Sequence, residues 1–233
     1  MLGAVAGGGV VSLIQRLKER SIEKDAVILG QSLDYNPVAS LLDVGCGDGK
    51  RTMRWAKIIG TEDVTGLDAK DFGVPFRLIE GRVDKGFPLA DESFDVIITH
   101  HVIEHVADTD LFVTELYRVL RKGGYAIVAT PNMASGLLIL ELLLNKQPKW
   151  AHVSDFFFVR GYSHKGGYSD KLLQKHIGFL HRRLFTKQGL IAILTHYGFK
   201  VEYTRRFGYG AILGGGILGG LYAANLLVKV RRL

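Results

Sequence analysis

Directly after the apolar pair Leu41-Leu42, the chain runs Asp43-Val44-Gly45-Cys46-Gly47-Asp48-Gly49. A short apolar run that ends in an acid and turns through glycines is how a buried parallel strand presents a small ligand to the start of a helix. Glycine allows the sharp turn and leaves no Cβ between backbone and ligand. The spacing is G-x-G-x-G, not the G-x-G-x-x-G of dinucleotide binders. Asp43 also sets negative charge where a diphosphate would lie, so the loop suits a ligand carrying positive charge. Asp68 follows Gly45 by 23 residues and ends the next apolar run. A carboxylate there can accept both hydroxyls of a ribose, which points to an adenosine without naming a reaction. The plain alternative is a solvated turn aspartate. Asp43 has two compatible readings, orienting the loop or a ligand ammonium and accepting from nearby backbone N–H groups. Cys46 is expected to be a small packing residue.

Thr99 and His100 close a further apolar run, and His100 should lie nearest the reacting end of a ligand held there. An imidazole titrates near neutrality, so His100 is a candidate base or acceptor contact. The residues that follow, His101-Val102-Ile103-Glu104-His105, reproduce the H-x-x-E-H order of some zinc peptidases. On a helix, His101 and His105 would share a face as metal ligands must. No third ligand is evident nearby in the sequence, so ligand-loop packing is the expectation and no metal is assigned.

These residues need a scaffold, and the patterning supplies one. Strands are predicted over 41–44, 64–67, 76–79, 94–99 and 125–129, with helices from Asp48 to about 59 and from 109 toward Gly123. Strands alternating with helices predict an α/β fold with a doubly wound, mostly parallel sheet. Residues 137–144 form an apolar helical run, Thr186 opens a helix through about 197, and residues 198–203 look like a sixth strand. Near the start, Val10, Leu13, Ile14 and Leu17 fall on one helical face.

With 233 residues and one cysteine, the chain can bury a sizeable core but form no internal disulfide. A cytoplasmic setting is therefore allowed. No basic n-region precedes the apolar start, so a secretory signal is not expected. The net charge of +7 equals that of residues 142–187 alone, which carry nine Lys or Arg against Asp155 and Asp170. That stretch also holds four of the eight histidines and many aromatics, including Trp150 and Phe156-Phe157-Phe158. It suits an anionic or amphipathic acceptor, such as a lipid-linked one, or an anionic membrane surface. Nucleic acid would satisfy the same features through phosphate contacts and stacking but is the weaker reading. Residues 207–228 carry no charge and seven glycines. They are long enough to span a bilayer, but a connection followed by an antiparallel seventh strand over 226–230 is the preferred reading. Membrane association through 207–233 is the alternative.

Further motifs join the glycine loop in a fixed order. L-D-V-G-C-G-x-G resembles the first motif of class I S-adenosylmethionine-dependent methyltransferases. Phe94-Asp95-Val96-Ile97-Ile98 with Glu104-His105 resembles that family's fourth strand and following loop. Leu120-Arg121-Lys122-Gly123-Gly124 and Ala129-Thr130-Pro131-Asn132 resemble the borders of its fifth strand. The resemblance implies a seven-stranded Rossmann-like sheet, S-adenosylmethionine as cofactor, and methyl transfer to an O or N atom of an unidentified acceptor. It places Gly45 and Gly47 at the methionine end of the cofactor and Asp68 on the ribose, with Asp43, Thr99 and His100 alongside. Relatives carry an acid five or six residues before the proline of an L-P-F segment; here those positions are Val83 and Arg82. Either Asp84 takes over the adenine contact or backbone does. His181 lies in a segment that resembles one closing over the site and is the second base candidate. The implied layout is one domain, with a helical segment over 1–36, a cofactor core over 37–132, a helical lid over 133–185 and the end of the sheet over 186–233. A nicotinamide-dependent oxidoreductase and a non-catalytic binding module are the rivals.

Overall fold

Four consecutive buried residues make β1 (Leu41–Val44), and β4 (Phe94–His100) is buried along most of its length. Continuously buried, mostly apolar runs of this kind belong to parallel strands covered on both faces. The computed structural model describes residues 27–148, 150–151, 181–208 and 223–233. Around the two strands stand β2 (Val64–Asp68), β3 (Arg77–Glu80), β5 (Leu120–Pro131), β6 (Phe199–Phe207) and β7 (Asn225–Arg232). They form one seven-stranded sheet in the order β3-β2-β1-β4-β5-β7-β6. Pairs among β1 to β5 are parallel, while β7 runs antiparallel to both β5 and β6. The strand order reverses between β1 and β4, so their carboxyl ends open the crevice where ligands bind in such sheets.

Helices cover both faces. On α1 (Lys50–Ile59), Thr52, Trp55, Ala56 and Ile59 recur at helical spacing and turn inward. They pack with Leu41, Val96, Ile98 and Ile127. The opposite face receives Phe112, Val113, Leu116 and Val119 of α2 (Thr109–Val119) and Leu190 and Leu194 of α4 (Lys187–His196). Thr186 caps α4 by accepting from the Gly189 amide, and Asp108 caps α2 through the Leu111 amide. Of α3 (Gly136–Leu143) only Leu138 is buried.

The predicted seventh strand is present and extends beyond the 226–230 expected at both ends. Three sequence expectations need correction. The helix read toward Gly123 stops at Val119, because Leu120 already has extended backbone and pairs with Phe94. β5 consequently has 12 residues, with an irregularity between its Phe94 and Val96 pairings that absorbs Gly123 in a left-handed turn. Asp48 is not the cap of α1. Gly49 holds that position with φ +70°, and Asp48 accepts from the Lys50 amide beside it. The 101–105 stretch is a turn, not a helix, so shared helical spacing does not bring its histidines together. The amphipathic segment around Val10, most of the basic aromatic stretch and residues 209–222 lie outside the described residues. No helix among the described residues is long and apolar enough to cross a membrane.

Asn132, at the exit of β5, fastens two long excursions of the chain. Its amide nitrogens donate to the carbonyls of Ala224 (2.7 Å) and Ala223 (3.0 Å). Asn132 also bridges to Phe185, and the next amide, Met133, donates to the Phe185 carbonyl. Residues 133–184 and 208–224 therefore leave and return at the carboxyl edge of the sheet.

Candidate functional site

The glycine loop sits at the end of β1 with left-handed φ at Gly45 (+80°) and Gly47 (+55°). The two glycines have different reasons to lack a Cβ. A Cβ on Gly45 would lie 2.3 Å from Val102 Cγ2, in the loop after β4. A Cβ on Gly47 would meet nothing within 4 Å, so that face of the loop is open to a ligand. Asp68, at the end of β2, reaches across and accepts from the Gly47 amide at 2.9 Å. Its other oxygen accepts from the Lys70 amide. A carboxylate oxygen has two lone-pair sites, so both remain able to accept ligand hydroxyls.

Asp43 is almost wholly buried beneath this loop, and its carboxylate accepts a 2.5 Å hydrogen bond from the Thr52 hydroxyl of α1. The expected backbone N–H donors are thus replaced by a side-chain hydroxyl. Burial pushes the Asp43 carboxyl up to about 7; Thr52 and Arg51 oppose the rise and Asp68 adds to it. Cys46 is buried against Gly66 as a packing residue, and burial followed by repulsion from Asp43 and Asp68 raises its thiol to about 12.

At the end of β4, Thr99 is level with Val44 of β1, and His100 follows it. The Thr99 hydroxyl is buried and has no hydrogen-bond partner among the described residues. Buried polar groups are nearly always satisfied, so this orphan at the crevice marks a place for a ligand or water. His100 packs with Trp55 and Phe207. Its Nδ1 lies 2.7 Å from Arg51 Nη1. A guanidinium can only donate, so Nδ1 accepts and the ring proton sits on Nε2. Burial, followed by the neighbouring His101 and Arg51, holds His100 well below the usual imidazole range. The neutral ring therefore offers a donor at Nε2. Sequence reasoning missed Arg51; its place one residue into the helix after the glycine loop was the available signal.

Asp84 lies in a 3-10 turn over Val83–Lys85, where Arg82 grips both its oxygens at 2.8 and 3.0 Å. That pairing holds the carboxyl below its usual range. The loop that follows is fixed from α2. Glu115 accepts from the Phe87 amide, and Arg118 donates to the Phe87 and Leu89 carbonyls.

His181 does not join His100. It stacks on Trp150 with ring centroids 5.1 Å apart and meets His105 edge-on at 4.9 Å. The neighbouring amides of Arg182 and Arg183 donate to the Glu104 carbonyl, and the Arg183 guanidinium binds the carbonyls of Val106 and Ala107. Residues 181–183 are thereby strapped onto the loop after β4. Glu104 itself is fully buried, with its carboxylate between His101 (3.0 Å), His105 (3.8 Å) and the Thr130 hydroxyl (2.9 Å). Burial pushes this carboxyl up, but the His101 hydrogen bond and the adjacent imidazoles outweigh burial and leave it below its usual range.

The family model described as a methyltransferase domain matches residues 42–128. A ubiquinone biosynthesis O-methyltransferase of Mesorhizobium japonicum is 37% identical over 128 residues, covering 48% of this chain and 51% of that protein. A probable S-adenosylmethionine-dependent methyltransferase of Mycolicibacterium smegmatis is 39% identical over 99 residues, 40% of this chain and 38% of that one. The chain spans about half the length, or less, of these curated relatives. Among solved structures, a Thermotoga maritima protein described as a possible histamine N-methyltransferase superposes with a TM-score of 0.59 at 19% identity. The alignment covers 96% of each chain. A Mesorhizobium loti S-adenosylmethionine-dependent methyltransferase gives a TM-score of 0.58 at 20% identity, over 88% of this chain and 96% of that one. At such identities the likeness speaks for the fold.

Proposed function

We propose that this chain, which carries a class I S-adenosylmethionine-dependent methyltransferase domain, methylates a hydroxyl oxygen of a small acceptor with an apolar, lipid-like part. The observation that carries the cofactor half is the crossing of the glycine loop by Asp68, whose carboxylate and the Gly47 amide form one surface beside open space. The residues fit the cofactor. Gly45 and Gly47 would lie along its methionine end, Asp68 would accept from the ribose hydroxyls, and Asp43 adds negative charge for its cationic groups. When bound, S-adenosylmethionine supplies an electrophilic methyl group on a sulfonium.

The protein's part is alignment and exclusion of water, since the methyl donor needs no covalent help. His100 Nε2–H is a donor at the crevice and is read here as an acceptor contact that orients the attacking oxygen. With Nδ1 occupied by Arg51, orientation rather than proton removal is its expected contribution; as the oxygen–methyl bond forms and the sulfonium leaves as a neutral thioether, the hydroxyl proton passes to solvent. Two observations favour the lipid-like acceptor. The Mesorhizobium relative is named for O-methylation in ubiquinone biosynthesis. Among the described residues, Met133, Leu137, Leu140, Leu143 and Leu144 are exposed next to the β5 exit. An apolar tail or a membrane surface would cover them. The same patch, with the basic stretch that follows it, supports peripheral contact with an anionic membrane surface.

The test is transfer of a labelled methyl group from S-adenosylmethionine to a lipid extract, beside an aqueous metabolite extract. Label entering an organic-soluble product that resists mild base but not ether-cleaving reagents supports the reading. Label confined to aqueous amines overturns the acceptor half. The two glycines give a separate check. Gly45→Ala should lower stability by about 2 kcal/mol or more, because a left-handed residue acquires a Cβ that collides with Val102. Gly47→Ala meets no neighbour, so it should cost only about 1–2 kcal/mol yet weaken cofactor binding at least tenfold. Thermal melts and calorimetry on the two variants separate these effects.

A further inference from the structure

The buried carboxylate of Glu104 stands within reach of histidines from two distant parts of the chain. One ligating atom from each of Glu104, His105 and His181 falls within 4.8 Å of the other two. The Glu104 oxygen and His105 Nε2 are 3.8 Å apart. Ligands about 2.1 Å from a tetrahedral ion sit about 3.4 Å from one another, so a small ring rotation brings this pair to coordinating distance. From the geometry we infer that Glu104, His105 and His181 form a binding site for one divalent transition-metal ion of the zinc class.

Two imidazoles and one carboxylate are the donor set of tetrahedral zinc sites that keep a fourth position open. Magnesium and calcium prefer all-oxygen shells and suit this set poorly. The surroundings match what such a site requires. Thr130 donates to the second oxygen of Glu104, and His101 hydrogen-bonds the first, fixing the carboxylate's orientation. Trp150 lies stacked over the His181 ring and shields it from solvent. A carboxylate with no exposed surface is costly unless it faces positive charge, and a dication supplies it. From sequence alone the H-x-x-E-H order carries no metal assignment; the site takes Glu104 and His105 from it and its third ligand from residue 181, not from His101. The ion would clamp residues 181–183 to the loop after β4, where their amides already bind the Glu104 carbonyl. A ligated His181 is a positioning residue and not the base.

The experiment uses the full chain, freed of metal by a chelator and then titrated with Zn²⁺ in competition with a chromophoric chelator. Co²⁺ is used in parallel as a spectroscopic substitute. One equivalent should bind at micromolar or tighter affinity, with visible Co²⁺ absorption of four- or five-coordinate intensity and a raised melting temperature. His105→Gln and His181→Gln should each weaken binding more than tenfold, whereas His196→Gln, on the exposed end of α4, should not. Absence of stoichiometric binding in the unaltered protein, or binding that neither variant weakens, overturns the site. The Co²⁺ spectrum of the unaltered protein decides the matter even if a variant fails to fold. S-adenosylmethionine binding measured with and without metal keeps this result separate from the cofactor reading.

Discussion

Asp68→Ala should weaken S-adenosylmethionine binding by about 100-fold or more while leaving the fold intact. Two hydrogen bonds from ribose hydroxyls to a carboxylate are lost, each of the charge-assisted kind worth about 1.5–3 kcal/mol before water refills the gap. The Gly47 amide loses its partner as well, so the glycine loop is no longer held against the end of β2. Stability should fall by only about 1 kcal/mol, since Asp68 is partly exposed and water can replace it. Asp68→Asn should retain part of the affinity, because the amide oxygen still accepts one hydroxyl and the Gly47 amide. Calorimetric titration of both variants, with circular dichroism as the check on folding, measures these differences. Unchanged affinity in Asp68→Ala would remove the basis for placing the ribose here, and a preference for NAD over S-adenosylmethionine would revive the oxidoreductase.

The second large effect concerns Asp43 and pH. Its folded-state carboxyl is raised to about 7 while an unfolded aspartate titrates near 3.9. Between those values the folded protein binds more protons at this site than the unfolded one. The Asp43 contribution to stability therefore falls as pH rises from about 4 to about 7 and is constant above. The window corresponds to about 4 kcal/mol, an order-of-magnitude figure. Asp43→Asn should accordingly be more stable than the unaltered protein at pH 8, by up to about 3 kcal/mol after about 1 kcal/mol is deducted for a poorer Thr52 hydrogen bond. The advantage should shrink to about 0.5 kcal/mol at pH 5 and reverse only below about pH 4.5. Denaturant melts across that range test it. A cationic cofactor prefers the ionised carboxylate, so its affinity should climb with pH up to about 7 and level off, with proton uptake by buffer at lower pH. The same pH slope persisting in the Asp43→Asn variant would refute the coupling.

Much of this is readable in the residues, and the unread part has a common cause. β1, β2 and β4 announce themselves because parallel strands buried on both faces must be largely apolar, and β1 and β2 also run into glycine or acid at their carboxyl ends. Thr186 and Tyr197 bound α4 within a residue. The start of β5 is ambiguous in sequence, since Lys122-Gly123-Gly124 signals a helix end equally well as an irregular strand entry. β6 runs four residues past the predicted 203 because Arg205 and Arg206 lie on an edge strand, where charge is tolerated and hides the pattern. The meeting of Glu104 with His181 is beyond sequence reasoning altogether. It depends on the short bridge between Asn132 and Phe185, and no local periodicity encodes a contact across 77 positions. The Arg51–His100 contact is hidden for the same reason.

Asn132 gives the fold a mechanical property with evolutionary weight. Because it closes both excursions at one edge, their interiors can be lengthened, shortened or exchanged without disturbing a single strand pairing. Closing a longer loop costs little, about 0.6 kcal/mol for each doubling. Natural variation can thus rewrite the interiors of these stretches, provided that Asn132, Phe185 and the 181–183 strap onto the loop after β4 are kept. The same property makes the chain a practical recipient for chimeras. Transplanting residues 133–180 from a relative, with Asn132 and residues 181–185 retained at the splice points, should transfer acceptor preference as a cassette.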